Sequence, residues 1–239
     1  MLIYRIPNNI SLINPSRSIC PKCNNTIKWY ENIPLFSYIF LKARCSKCQN
    51  KISLSYPITE LIFAFSTLIL YIKFDLSFDL FLILLFFYIL AILSFIDLKY
   101  KAVPDYLLLV LFIISFFISK DSFFISLQNA MLFAGGFVLL NFIITFYIQN
   151  IKSRLLKNDS LKTQEALGEG DIPVIAAIAI ILGAKLALIA IFLSALFAII
   201  PAIYSSYTKK DIEIPFIPYL SLGLFCTFIF GNTILGLIG

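Results

Sequence analysis

Long apolar runs separated by short polar connections fill the chain after residue 56. Several runs contain no charge over roughly the 20 residues that a helix needs to cross the hydrocarbon core of a bilayer. The pattern predicts seven helical segments, at about 57–73, 78–97, 104–119, 125–149, 172–184, 185–206 and 215–238. We therefore expect an all-α polytopic membrane protein.

Residues 1–56 differ from this pattern because they are polar and contain four of the five cysteines and eight of the nineteen Lys and Arg residues. We interpret this segment as a small cytoplasmic N-terminal module, followed by a transmembrane domain over 57–239. We therefore expect two domains with a boundary at 56/57.

The Lys and Arg residues indicate the orientation, since connections on the cytoplasmic side of a membrane are enriched in them. The N-terminal module carries eight Lys and Arg residues, and the connections after segments two, four and six carry two, four and two. The connections on the other side carry three. This split of sixteen to three places the module and the connections after segments two, four and six on the cytoplasmic side. The segment 172–184 is the least certain crossing, because its thirteen residues form a helix only about 20 Å long. The hydrocarbon core of a bilayer is about 30 Å thick.

Composition restricts the chemistry. The chain is 60% hydrophobic and 13% charged, and it contains no histidine. Ser-His-Asp and Cys-His nucleophile systems and HExxH zinc hydrolases are therefore excluded. The net charge of +6 comes from residues placed between apolar runs, so we expect membrane lipid and no nucleic acid as a partner.

Two CxxC pairs, Cys20 with Cys23 and Cys45 with Cys48, have the spacing of a four-thiolate zinc site. Four thiolates leave no open position for water, so we expect structural Zn2+. Two disulfides or free thiols are the alternative, although disulfides are disfavoured on a reduced cytoplasmic face. Cys226 lies in the last apolar segment and reads as a packing residue.

Acidic residues beside apolar segments need a reason, because charge in or near hydrocarbon is unfavourable. Asp79 and Asp121 fall at outer helix ends, where solvation accounts for them. Asp97 ends the second segment and Asp171 precedes the fifth, so the predicted topology puts both at the cytoplasmic boundary. Two carboxylates in a partly dry site share a proton, which is what aspartic proteolysis requires.

Gly168 and Gly170 stand just before Asp171, where a missing side chain would let a substrate backbone come close. By itself this GxGD run is weak evidence, and an Asp that caps a helix after a Gly-rich turn explains it too. Asp105 could replace Asp97 in the pair, but a cap on the third helix is the preferred interpretation. Glu60 could snorkel, pair with a base or line a methyl-donor site, and we favour a structural or substrate-positioning role.

Several short motifs occur in one order along most of the chain, and the ordered set resembles the bacterial type IV prepilin peptidases, a family of GxGD aspartic peptidases. The motifs are Ile3-Tyr-Arg-Ile-Pro7, Cys20-Pro-Lys-Cys23, Glu31-Asn-Ile-Pro34, Arg44-Cys-Ser-Lys-Cys48, Ile52-Ser-Leu-Ser-Tyr-Pro57 with Glu60, Ile96-Asp97-Leu98, Val103-Pro104-Asp105 and Gly168-x-Gly-Asp171.

The resemblance implies an endopeptidase that removes the basic leader from type IV prepilins or pseudopilins on the cytoplasmic side. It also implies N-methylation of the new N-terminus with S-adenosylmethionine. The family's catalytic aspartates correspond to Asp97 and Asp171, and its cysteine tetrad to the two CxxC pairs. No Gly-rich nucleotide motif is present, so the methyl transfer rests on the resemblance alone.

Two departures from the family pattern stand out. Members usually begin with a further hydrophobic helix before the Tyr-Arg-x-Pro stretch, so either the start is trimmed or the protein works with seven crossings. Ile172 and Pro173 stand where a Lys-Leu pair is usual, and we expect the fold to tolerate this proline. The rival interpretations are a small proton-coupled transporter with an accessory zinc module and a non-enzymatic assembly factor.

Overall fold

The computed structural model describes residues 5–7, 18–20, 22–23, 25–156, 162, 167–208 and 214–238. Within these residues the protein is built from helices and contains no β-strand, as predicted, with two isolated antiparallel bridges near the N-terminus. The helices are α1 Phe36–Phe40, α2 Ser55–Phe74, α3 Phe78–Tyr100, α4 Asp105–Ile118, α5 Phe123–Phe146, α6 Ser153–Leu156, α7 Asp171–Thr208 and α8 Ile217–Ile238.

The chain divides into two compact units, Met1–Leu80 and Phe81–Gly239. The first unit holds the cysteine pairs, a 3-10 turn at Trp29–Asn32, α1 and α2. The second holds the remaining helices and both aspartates of the predicted pair. The domain boundary at 56/57 stays a prediction.

The predicted apolar segments correspond to helices whose ends differ by a few residues. A π-helical stretch at Tyr147–Lys152 joins α5 to α6. Four of the helices in the described part of the chain are long and apolar enough to cross a membrane, and α4 and the Ile217–Gly231 part of α8 are shorter apolar stretches. The count of seven crossings stays a prediction. The motif residues before Arg5, together with Pro21, Lys157, Lys209 and Lys210, lie outside the described residues.

The start of α7 is the buried centre of the second unit. Every residue from Val174 to Ile180 is at most 3% exposed, so this helix is covered on all sides. It packs against α4, α5 and α8, and Ala130 of α5 joins Ala176 and Ile180 in one apolar cluster. The segment that looked weakest in the sequence is short because protein, not lipid, surrounds it.

The first part of α7, residues 171–182, runs from one end of the unit to the other. At its start, Gly170 lies against Val103, which precedes α4. At its end, Gly183 lies near Asp121, which follows α4. Gly183 has φ 72 and ψ 169, a backbone conformation that side-chain-bearing residues rarely adopt. The helical pattern is therefore interrupted at this glycine.

After Gly183 the chain turns back. Leu186 lies against Gly231 near the end of α8, and Ser194 lies against Gly223 nearer its start. The second part of α7 thus runs antiparallel to α8 and returns towards the end at which α8 begins. The two segments predicted at 172–184 and 185–206 are confirmed as separate helical stretches that meet two residues earlier than expected.

Close packing fixes α8 in place. A Cβ on Gly223 would collide with Ser194 Oγ and the carbonyl oxygen of Ala190, so only a glycine allows this approach. Phe225 and Phe228 stack edge-on against Phe87 of α3, with ring centroids 5.4 and 5.5 Å away. Helix α8 therefore bridges α7 and α3, the two helices that carry the aspartates.

Candidate active site and cysteine cluster

Asp97 and Asp171 come together at one end of the second unit. Asp97 lies in the last turn of α3 and Asp171 is the first residue of α7; they are 8% and 6% exposed. Their carboxyl groups are close enough to interact electrostatically. Among the described residues, no Lys or Arg forms a salt bridge with either of them, and the charged group that acts on Asp171 is Asp97.

Backbone N–H groups hold both carboxylates. The N–H of Ile217, the first residue of α8, donates to Asp97 Oδ2 at 3.2 Å. The N–H of Gly168 donates to Asp171 Oδ2 at 3.1 Å. Such bonds fix the orientation of a carboxylate without adding a counter-charge, which leaves the second oxygen of each acid for chemistry.

Steric contacts explain why both positions of the GxGD run hold glycine. A Cβ on Gly170 would collide with Val103 Cγ2, and one on Gly168 would lie 3.3 Å from Asp171 Oδ2. Gly170 therefore lets the loop pack against the residues before α4, and Gly168 leaves room for the Asp171 carboxylate. These packing contacts account for both glycines without the close substrate approach that the sequence suggested.

Asn141 is a residue that the sequence reasoning missed. Its Oδ1 accepts hydrogen bonds from the N–H of Leu167 at 3.0 Å and from Thr145 Oγ1 at 3.3 Å. Leu167 directly precedes Gly168, so this contact ties the GxGD loop to α5. A signal did exist, because a carboxamide inside the uncharged run 122–151 needs a hydrogen-bond partner in a membrane protein.

The preferred interpretation of Asp105 as a cap is wrong. The N-cap of α4 is Pro104, and Asp105 is the exposed first residue of the helix, without a side-chain cap hydrogen bond. Proline fixes φ at this position but has no side-chain acceptor, so the first N–H groups of α4 have no side-chain cap. An acid in the first turn still interacts favourably with the helix dipole. Pro173 falls in the first turn of α7, where its missing N–H has no helical partner to lose.

Glu60 lies in the first unit, on α2. Its Oε2 accepts a hydrogen bond of 2.8 Å from the N–H of Leu35. Leu35 has φ 60, a strained conformation for a branched residue, and it begins the turn into α1. The contact is a structural one, because it fastens that turn to the membrane helix.

The four cysteines of the CxxC pairs form one cluster. All four Sγ atoms lie within 4.8 Å of one another, and Cys20 Sγ is 3.9 Å from Cys48 Sγ. Tetrahedral zinc with Zn–S bonds of about 2.3 Å would separate its sulfurs by about 3.8 Å. The cluster therefore fits zinc, whereas sulfurs joined in disulfides would be about 2 Å apart.

The two pairs are built alike. The bridge between Ile19 and Thr26 encloses the first pair, and the bridge between Arg44 and Lys51 encloses the second. In each pair the N–H of the first cysteine donates a hydrogen bond of 2.9 Å to the carbonyl oxygen of the residue five positions later, Asn25 or Asn50. The N–H of Asn50 also hydrogen-bonds Cys48 and lowers the pKa of its thiol to about 7, which favours the thiolate that a metal binds.

Comparison with known proteins identifies the family. Residues 84–203 match the Type IV leader peptidase family, and residues 1–74 match the Bacterial Peptidase A24 N-terminal domain. The chain belongs to the type IV leader peptidase family. This membership confirms the resemblance drawn from the ordered motifs, and it gives no support to the transporter or assembly-factor interpretations.

Three curated relatives carry the name Prepilin leader peptidase/N-methyltransferase. The protein from Vibrio cholerae serotype O1 is 34% identical over 84% of this chain and 78% of its own length. The relative from Bacillus subtilis is 30% identical over 97% and 88%, and that from Legionella pneumophila is 32% identical over 92% and 74%. No solved structure matches the chain at a significant level.

Proposed function

We propose that this chain is a membrane-embedded aspartic endopeptidase that removes the basic leader from type IV prepilins or pseudopilins. The family and the names of its curated relatives support leader cleavage. The observation that carries the catalytic assignment is the buried pair Asp97 and Asp171, which has no basic partner among the described residues.

The mechanism follows from the pair. One carboxyl group is ionised and takes a proton from a water molecule, while the protonated one donates a hydrogen bond to the scissile carbonyl oxygen. The water oxygen then forms a bond to the carbonyl carbon. As the tetrahedral intermediate collapses, the first acid returns its proton to the leaving amine. Ile217 and Gly168 keep both carboxylates oriented through these steps.

The cleavage point of a prepilin has a defined position along the membrane normal. A prepilin with an apolar segment in the bilayer and a basic leader outside it presents its cleavage point at the membrane boundary. Asp97 lies one turn before the end of α3, and the flanking Lys99 and Lys101 mark this end as cytoplasmic by the charge rule. We propose a multi-pass inner-membrane enzyme whose cleavage site faces the cytoplasm.

The relatives' names support a second activity, N-methylation of the new N-terminus. S-adenosylmethionine carries a charged amino-acid end and a sulfonium, and the groove beside Tyr30 and Phe36 is open and lined mainly by apolar side chains. Its lining also includes one carboxylate, that of Glu31, and one hydroxyl, that of Ser37. We assign the activity to the domain 1–56 by the family resemblance, and we derive no step through the cofactor.

The deciding experiment compares Asp97→Asn and Asp171→Asn with Asp121→Asn in purified protein incubated with a prepilin. Asp121 is an exposed acid at the opposite end of the same unit, so the third variant makes the same chemical change away from the pair. We expect the first two to lose about 10²–10⁴-fold in cleavage rate and the third to cleave normally. Continued cleavage by both variants of the pair would refute the assignment.

A further inference from the structure

The first unit exposes a patch of large apolar side chains around α1. Trp29 is 75% exposed, Phe36 65%, Ile39 72% and Phe40 81%. We call these four residues the apolar face. A protein surface in water rarely collects so many exposed aromatic and aliphatic side chains within twelve residues, so the face has something to contact.

Hydrogen bonds hold this face beside the start of the membrane helix α2. The Glu60–Leu35 bond ties the residue before α1 to the second turn of α2, about 8 Å along the axis from Ser55. Tyr38 Oη donates to the carbonyl oxygen of Ile52 at 3.3 Å, and the N–H of Ile52 donates to Ala43 at 2.7 Å. Helix α1 is thus fastened to the point at which the chain enters α2.

Exposed basic residues flank the apolar face along the chain, and we call them the basic rim. Lys28, Lys42, Arg44 and Lys51 are all exposed, and Glu31 is the one acidic residue between positions 18 and 56. An apolar surface with Trp and Phe, rimmed by Lys and Arg, is the composition of segments that lie in the interfacial region of a bilayer. Anionic headgroups attract such a rim electrostatically.

We propose that the apolar face sits in the interfacial region of the lipid bilayer, with α1 lying in the membrane plane and the basic rim on lipid phosphates. The occupant is lipid because the face is fastened to a membrane helix at its entry point. This contact with lipid attaches the first unit to the membrane at a second point besides α2. It also keeps the cysteine cluster at the membrane surface.

Trp29 is the single tryptophan of the chain, so it reports on the face without labelling. Full-length protein is reconstituted into phosphatidylcholine–phosphatidylglycerol vesicles, with and without bromine atoms on the acyl chains near the headgroups. We expect the brominated lipid to quench Trp29 fluorescence and aqueous acrylamide to quench it weakly. The double variant Phe36→Ser/Phe40→Ser should reverse both responses.

Glu60 supplies a matched pair of variants away from the face itself. Glu60→Ala removes the acceptor for the Leu35 N–H, whereas Glu60→Gln keeps an oxygen at the same position. We expect Glu60→Ala to reduce quenching by brominated lipid and Glu60→Gln to retain most of it. Strong acrylamide quenching of the unaltered protein would overturn the proposal. Shielding from acrylamide without quenching by brominated lipid would overturn it too, because protein would then cover the face.

Discussion

The N–H of Ile217 donates a hydrogen bond to the carboxylate of Asp97, although 120 residues separate them in the chain. Helix α8 therefore contributes to the candidate active site without supplying a reactive side chain. Its position depends on the contact of Gly223 with α7 and on the stacking of Phe87 with two phenylalanines. Leader cleavage should accordingly be sensitive to changes in α8.

The first prediction concerns this donor. Ile217→Pro removes the N–H, and proline is tolerated at the first position of a helix. Ile217→Ala shortens the side chain and keeps the N–H. A hydrogen bond to a charged group contributes about 1.5–3 kcal/mol, so we expect Ile217→Pro to cleave roughly ten- to a hundredfold more slowly than Ile217→Ala. Equal prepilin cleavage rates for the two variants would show that the N–H does not matter.

The second prediction concerns the packing of the GxGD loop. Gly170→Ala places a methyl group against Val103 Cγ2, and we expect it to displace the loop and slow cleavage. The loss should come mainly in kcat, because the change moves Asp171 relative to Asp97. Val103→Ala removes the colliding methyl groups, so the double variant should recover activity. A double variant as slow as Gly170→Ala would point to a role for Gly170 other than packing.

The third prediction concerns Asn141, which we expect to position the same loop. Asn141→Leu leaves the partly buried N–H of Leu167 without its acceptor, and leaving such a group unpaired costs up to about 3 kcal/mol. We expect kcat to fall by roughly five- to a hundredfold with a smaller change in KM. Asn141→Asp keeps the accepting oxygen and should be the milder variant.

Asn129 provides the control for that experiment. It lies on the same helix, three turns earlier, and it is likewise partly buried. Asn129→Leu makes the same substitution at a distance from the GxGD loop and should cleave normally. If the two leucine variants lost activity equally, the effect would belong to α5 as a whole and not to the Leu167 contact.

The fourth prediction concerns the cysteine cluster. Zinc analysis of the purified protein should find about one equivalent per chain, and Cys20→Ser or Cys45→Ser should lower it sharply. Cys226→Ser is the matched control, since Cys226 lies in α8 outside the cluster. Removal of the metal by a chelator should abolish methylation and spare leader cleavage. Normal methylation by the metal-free protein would separate the cluster from that activity.

The pH dependence of metal binding follows from the same thiols. A metal binds thiolates, so protonation competes with it, and zinc affinity should fall as the pH is lowered. The pKa of Cys48 is lowered to about 7, whereas desolvation and hydrogen bonds with the other three thiols raise the pKa of Cys23 to about 11, so the proton on Cys23 competes more strongly with the metal. Zinc retention measured from pH 8 to pH 5 should show release towards the acidic end, and affinity independent of pH would contradict thiolate ligation.

The sequence by itself determined the helical class, the apolar segments, the cysteine tetrad and the candidate acids. These features are local, because a bilayer requires long apolar runs and because a tetrahedral thiolate site requires two closely spaced pairs. The uneven distribution of Lys and Arg also predicted that Asp97 and Asp171 lie at the same membrane boundary. Glu60 and Asp105 could be named from the sequence, but their contacts could not.

Only the tertiary structure decided how the acids are held. The Ile217 and Leu167 contacts join backbone N–H groups to side chains on other helices, and a backbone group carries no sequence signal. The short helix at the start of α7 could not be interpreted from its length, because burial among α4, α5 and α8 removes the need to match the bilayer. The sequence could place residues along the membrane normal, but only packing between helices decides which of them meet.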